Sequence, residues 1–381
     1  MQKLKNLEAV RGLAALAVVL YHLIFAFYPS LVTGDPATSH MPHEIEVLIA
    51  KSPLYLFYSG NFAVCIFFVL SGFVLSYKYF KTENTQIIVS TAFKRYFRLV
   101  IPVAFSVLVV YLCAVLYSSN PYGVQYPSLS GALYEGFFGS FFRHQAEYNP
   151  QLWTMSYEFY GSFLVFAFCL IFGSRKNRIF GYILAAVIFW NDYYLGFVLG
   201  ILICDLYCRR GEFLRNNVLK YGLLVLALYL GAYPDINPLN VTLYGPLYQL
   251  GITCIPYHTV GAALLILVVI HSLHLTKILS AKLFQFFGKI SFSMYLAHVA
   301  VLYYIAHPVF TYLSERLQLP YKYSFAITAP IYFGIAFAFS YLMYILIDKN
   351  GIRFSNYLYN RFFHSENDQE KYGVVYSKKQ N

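Results

Sequence analysis

The chain has 381 residues, of which 59% are hydrophobic and only 12% charged, about half the charge content of a soluble globular protein. Its apolar residues run in blocks instead of alternating, which excludes a membrane barrel and leaves helices to satisfy the backbone in lipid. The net charge of +11 does not indicate nucleic acid, because the basic residues are sorted by side along the chain.

Apolar spans fall at about 9–28, 60–78, 99–118, 155–173, 179–191, 193–208, 219–233, 258–273, 291–313 and 323–347. The fifth and sixth are short and nearly continuous at Asn191-Asp192, and the seventh is short too. With a cytoplasmic N-terminus, the inner segments hold 24 of the 28 Lys and Arg residues, and the outer ones only Lys51, Arg143, Arg316 and Lys322. That asymmetry predicts an inward orientation of both ends. The expected fold is all-α: a polytopic integral membrane protein with about ten transmembrane helices and N- and C-termini cytoplasmic. Residues 1–364 form one membrane domain and 365–381 a polar cytoplasmic tail. The first span has no cleavage site after it and reads as retained. The six Cys show no metal-ligand spacing and read as small core residues.

In the first span, Arg11 and His22 lie eleven residues apart, about 16 Å along a helix and close to three turns, hence near one face. Arg11 would meet a membrane surface and His22 would lie near mid-depth, where an ionisable group is costly unless it serves a cavity or a partner. The second span carries Ser71-Gly72, small residues that permit close helix approach. Before the third, Lys94, Arg95 and Arg98 precede Pro102. Arg95 and Arg98 share a face, either as ordinary inner anchors or as a fork for the phosphates of a cytosolic cofactor.

Connections 29–59 and 119–154 are long enough to be functional or poorly ordered. Connection 234–257 carries Asp235, no Lys or Arg, and the sequon Asn240-Val241-Thr242. The fourth span opens Trp153-Thr154-Met155-Ser156-Tyr157-Glu158. Trp153 reads as an outer interfacial anchor, with Glu158 about 7 Å deeper. Its expected partner at that depth is His22 or His298, a carboxylate orienting an imidazole; hydrogen bonds to nearby Tyr or Ser are the plainer reading. In the ninth span Ser291, Tyr295 and His298 lie on one stripe, either an inter-helix seam or a cavity wall. Asp348 ends the tenth span near Lys349 and Arg353.

The ordered series of Arg11-x10-His22, Phe67 to Leu75, Arg95/Arg98 before Pro102, Trp153 to Tyr160 and Gly288 to His298 resembles the acyltransferase-3 family over about residues 7–353. The resemblance implies an acyl-CoA-dependent O-acyltransferase of ten helices. It would move an acyl group, acetyl above all, from cytosolic acetyl-CoA to a hydroxyl of an extracytoplasmic carbohydrate or glycolipid, typically in a bacterial inner membrane.

It assigns His22, Glu158 and Arg11 to catalysis, and Arg95, Arg98 and Lys94 to the donor. Ser71, Trp153, Tyr157, Ser291, Tyr295 and His298 would line the cavity. No metal and no nucleic acid are implied, and a homo-oligomer is allowed. Two departures stand out: Thr154 where Ser is commoner, and Asp348-Lys349-Asn350 where Glu-x-Pro is expected, so no role passes to Asp348. The rival readings are a secondary transporter with intramembrane His and Glu, and a membrane-bound O-acyltransferase of the other large class.

Overall fold

The computed structural model describes residues 5–117, 128–236 and 238–363; the expected tail 365–381 lies outside the described residues. All regular structure among them is helical. The principal helices are α1 (Lys5–Phe27), α2 (Gly60–Thr82), α3 (Gln86–Tyr117), α4 (Trp153–Phe172), α5 (Ile179–Ile188), α6 (Tyr194–Arg210), α7 (Asn217–Gly231), α8 (Cys254–Ile270), α9 (Lys282–Val301), α10 (Tyr321–Met343) and α11 (Lys349–Phe363). Every apolar span read from the sequence coincides with one of α1 to α10.

Six helical stretches are long and apolar enough to cross a bilayer, or seven if α8 and Leu273–Leu279, bent by 94°, form one broken span. The molecule is a multi-pass membrane protein. Helices α5 and α7, with 10 and 15 residues, reach only about 15 and 22 Å, short of a hydrocarbon core of about 30 Å. α9 continues helically to Arg316, and α10 runs on through α11 to Phe363.

Two glycine crossings set the architecture. A Cβ on Gly12 would stand 2.4 Å from the Gly288 nitrogen, so α1 and α9 meet backbone to backbone. A Cβ on Gly72 would stand 2.3 Å from the Phe197 carbonyl oxygen, and one on Gly200 2.2 Å from that of Val69, so α2 and α6 do the same. The helix approach expected at Ser71-Gly72 is therefore made against α6.

The described part of the connection before α4, from Ser128 onward, is not a surface loop. Leu129–Tyr134, a π turn at Glu135–Gly139 and Ser140–Phe142 run back along α3. Gly136 packs on Ala104, and the Tyr96 hydroxyl donates to the Phe137 carbonyl at 2.6 Å. Glu135, fully buried, accepts from the backbone N–H groups of Glu147, Tyr148 and Asn149 at 2.7 to 3.2 Å. Its carboxylate thus supplies the partners that a buried turn must have. α4 consequently starts inside the bundle.

Candidate active site

The two glycines that bring α1 onto α9 also bring together two histidines. Gly12 to Gly288 and His22 to His298 are the same 276 residues apart, so the helices run parallel and in register over about 15 Å. His298 Nε2 lies 3.2 Å from His22 Nδ1, with ring centroids 4.9 Å apart.

Each Nδ1 also faces the carbonyl four residues back: Met294 for His298 at 3.1 Å, and Val18 for His22 at 2.9 Å. These carbonyls assign the tautomers. His298 donates from Nδ1 and keeps a lone pair on Nε2. His22 Nδ1–H is shared between the Val18 oxygen and that lone pair. His22 Nε2 is left as a basic nitrogen with no hydrogen-bond partner among the described residues, on a half-buried side chain.

Glu158 does not orient His22. Its carboxylate forms an ion pair with Arg95 and accepts from Ser71 Oγ at 2.6 Å. Arg95 Nε donates to Ser162 Oγ at 2.6 Å, and Ser162 bonds back to the Glu158 carbonyl. The cause is the depth of α4. Gln151 and Thr154, on either side of Trp153, both meet the Tyr295 hydroxyl, at 2.6 and 2.7 Å. Trp153 therefore lies level with the histidine helix and is no interfacial anchor. Its ring packs 5.8 Å from Tyr157 and 5.2 Å from Tyr193. Glu158, further along α4, falls beside Arg95.

Ser291, Tyr295 and His298 are all buried and form a seam: Ser291 with Arg11 Nε at 3.0 Å, Tyr295 with Thr154 and Gln151, and His298 with His22. They hold the helices together and are not an open cavity wall. Arg11 also donates to the Gly288 carbonyl at 3.2 Å.

The basic residues separate. Lys94 turns away, its ammonium 4.9 Å from the Tyr359 ring centroid on α11, a cation–π contact. Arg98 is exposed, and its charge neighbours are Arg95, Arg11, Asp348 and Glu158. Those charges come from four helical stretches, α1, α3, α4 and the turn before α11, so Arg98 stands where they converge. It makes no hydrogen bond or ion pair among the described residues.

Sequence reasoning missed three participants. Asp348 is buried, and the opposite charges that act on it are Arg98 and Arg11, not its sequence neighbours Lys349 and Arg353. Asn149 and Gln151 donate to the Leu296 carbonyl at 3.2 and 3.1 Å, fixing the segment that bears Tyr295 and His298. The acid ending the last span was the available signal for Asp348. Nothing in the sequence of the long connection marked the other two.

The acyltransferase-3 family, described as an acyltransferase domain, matches residues 4–345. The chain belongs to that family. An O-acetyltransferase, PaAT-1 of Phomopsis amygdali, is 23% identical, with 96% of this chain and 86% of the relative covered. No solved structure matches. In this acyltransferase-3 protein, Arg11 and His22 thus both meet α9 from one face of α1. Of the two arginines Arg95 and Arg98, the first is neutralised by Glu158 and the second is free among the described residues.

Proposed function

We propose that this protein is a membrane O-acyltransferase that moves an acetyl group from cytosolic acetyl-CoA to a hydroxyl of an extracytoplasmic carbohydrate or glycolipid. The observation that carries the reading is the free His22 Nε2, held in its basic tautomer by Val18 and His298. A hydroxyl is a weak nucleophile at neutral pH and needs such a base. His22 Nε2 takes the acceptor's proton as the hydroxyl oxygen attacks the thioester carbonyl. The C–S bond then breaks, and the thiolate leaves as CoA with the proton returned by His22. His298 Nε2 accepts from His22 Nδ1 while the ring is positively charged.

Arg98 is the free cation that suits the donor's phosphates, with Arg95 committed to Glu158. The distribution of Lys and Arg supports cytoplasmic N- and C-termini, which puts Arg98 toward the donor side. The long connections then lie on the acceptor side. The relative's O-acetyl activity supports the choice of acetyl group.

The test is CoA release from acetyl-CoA by protein in nanodiscs, followed by thiol detection. Wild type should turn over, and His22→Ala should lose roughly 10²-fold or more, the usual contribution of a general base. Turnover that survives His22→Ala would overturn the assignment of the base, and no turnover in folded wild type would overturn the acetyl-CoA reading.

A further inference from the structure

Past the histidine pair, α1 and the continuation of α9 stay in contact as far as Phe27. The His307 ring lies 4.8 Å from that of Phe27 and stacks on Tyr303 at 5.2 Å. π turns at Leu302–Ala306 and Tyr312–Arg316 flank this histidine, and such turns recur at functional sites. The same stretch walls a cavity of about 510 Å³, within the range of about 300–1,000 Å³ for small-molecule sites. The half-buried Tyr303 and His307 line its deeper part, and the exposed Thr311, Tyr312, Glu315 and Arg316 its rim.

The polar groups of this wall are unpaired. Phe27 and Tyr303 hold the His307 ring, yet neither of its nitrogens has a hydrogen-bond partner among the described residues. The same holds for the side chains of Thr311, Tyr312, Glu315 and Arg316, the last two adjacent in sequence but not ion-paired. The helical stretch from Lys282 to Arg316 runs 35 residues, about 50 Å, against a hydrocarbon core of about 30 Å. Exposed charges at its end therefore stand in water, not lipid. α9 starts with Lys282 and Lys289 on the side assigned to the donor, so the cavity opens on the acceptor side. Tyr303 comes five residues after His298, about 7.5 Å along the helix, which makes its end of the cavity the one nearer the histidines.

A carboxylate accepts hydrogen bonds, a guanidinium donates them, and the tyrosine rings offer apolar faces. A pyranose complements all three, with hydroxyls that donate and accept at its edge and C–H groups on its face. The charges of Glu315 and Arg316 offset each other, so the wall favours no ion. An acidic sugar that met Arg316 would face Glu315 as a like charge. We propose that this cavity is the acceptor subsite and that it takes an uncharged saccharide. His307, Glu315 and Arg316 hold its hydroxyls, and a ring face lies on Tyr312. The proposal rests on the reading of His22 as the base for transfer, to which a glycan lying along the cavity presents its inner hydroxyl.

Saturation-transfer NMR on nanodisc protein tests it without requiring turnover, with methyl glucopyranoside, galactopyranoside and mannopyranoside as probes and methyl glucuronide as the acidic comparison. Wild type should bind at least one neutral glycoside in preference to the glucuronide. Glu315→Gln should weaken the neutral ligand about tenfold, the lower end for a hydrogen bond to a charged group. It should also strengthen the glucuronide, because Arg316 is then unopposed. Tyr312→Ala should weaken the neutral ligand as well, and both positions are exposed, where substitution leaves folding nearly unchanged. Binding of no neutral glycoside, equal affinity in Glu315→Gln, or wild-type preference for the glucuronide would each overturn the subsite. CoA release measured on the same samples reads the transfer step separately. Its absence with glycoside binding intact would count against the reading of His22 and not against the cavity.

Discussion

Replacing His298 tests whether the histidine pair acts as a unit. When His22 takes up a proton, its Nδ1–H becomes a charged donor shared between Val18 O at 2.9 Å and His298 Nε2 at 3.2 Å. A hydrogen bond to a charged group contributes about 1.5–3 kcal/mol, which is roughly 10- to 150-fold in rate at about 1.4 kcal/mol per decade. Because the contact is the longer of two and Val18 remains, His298→Ala should fall at the lower end, about 10- to 30-fold in kcat.

His298 is fully buried and bonded to His22 and the Met294 carbonyl, so KM for acetyl-CoA should move much less than kcat. His298→Gln, which can offer an amide oxygen in place of Nε2, should restore part of the loss. The assay is initial-rate CoA release across acetyl-CoA concentrations, with thermal unfolding to separate a cavity effect from a positioning effect. A kcat that changes less than about threefold in folded His298→Ala, or an equal fall with His298→Gln, would refute the reasoning.

Two further substitutions probe the frame around the pair. Glu158→Ala leaves the Arg95 guanidinium, 7% exposed, without its counter-charge and should cost about 3–5 kcal/mol of stability. Arg95→Met with Glu158→Leu should recover most of that, and a melting temperature unchanged by Glu158→Ala would remove the ion pair from the account. Gly12→Val places carbon 2.4 Å from the Gly288 nitrogen. It should separate α1 from α9 at a cost of about 1–3 kcal/mol and depress turnover through the His22–His298 contact; wild-type stability and turnover would contradict the crossing.

The helices were legible because each apolar block is long or bounded by charge, and α1 to α10 fall where those blocks lie. The histidine of α9 was legible through its stripe spacing with Ser291 and Tyr295. The misreading of Glu158 has a single physical origin. Counting depth from Trp153 assumes that α4 begins at a membrane surface, whereas Leu129–Phe142 folds back along α3 and starts α4 within the bundle. That fold-back depends on Glu135 meeting three backbone donors and on Gly136 fitting against Ala104. These are long-range partners that local periodicity does not encode. The same holds for Asp348, whose neighbours in sequence are Lys349 and Asn350 but whose neighbours in charge are Arg98 and Arg11.

Calorimetry of acetyl-CoA binding to nanodisc protein, with wild type, Arg98→Ala and His22→Ala compared, tests whether a donor held at Arg98 is used at His22. Binding should be in the micromolar range, should weaken about tenfold or more in Arg98→Ala, and should be retained in His22→Ala alongside its lost turnover. Acetyl-CoA that fails to bind folded wild type, or that binds Arg98→Ala as tightly, would contradict a donor site at Arg98.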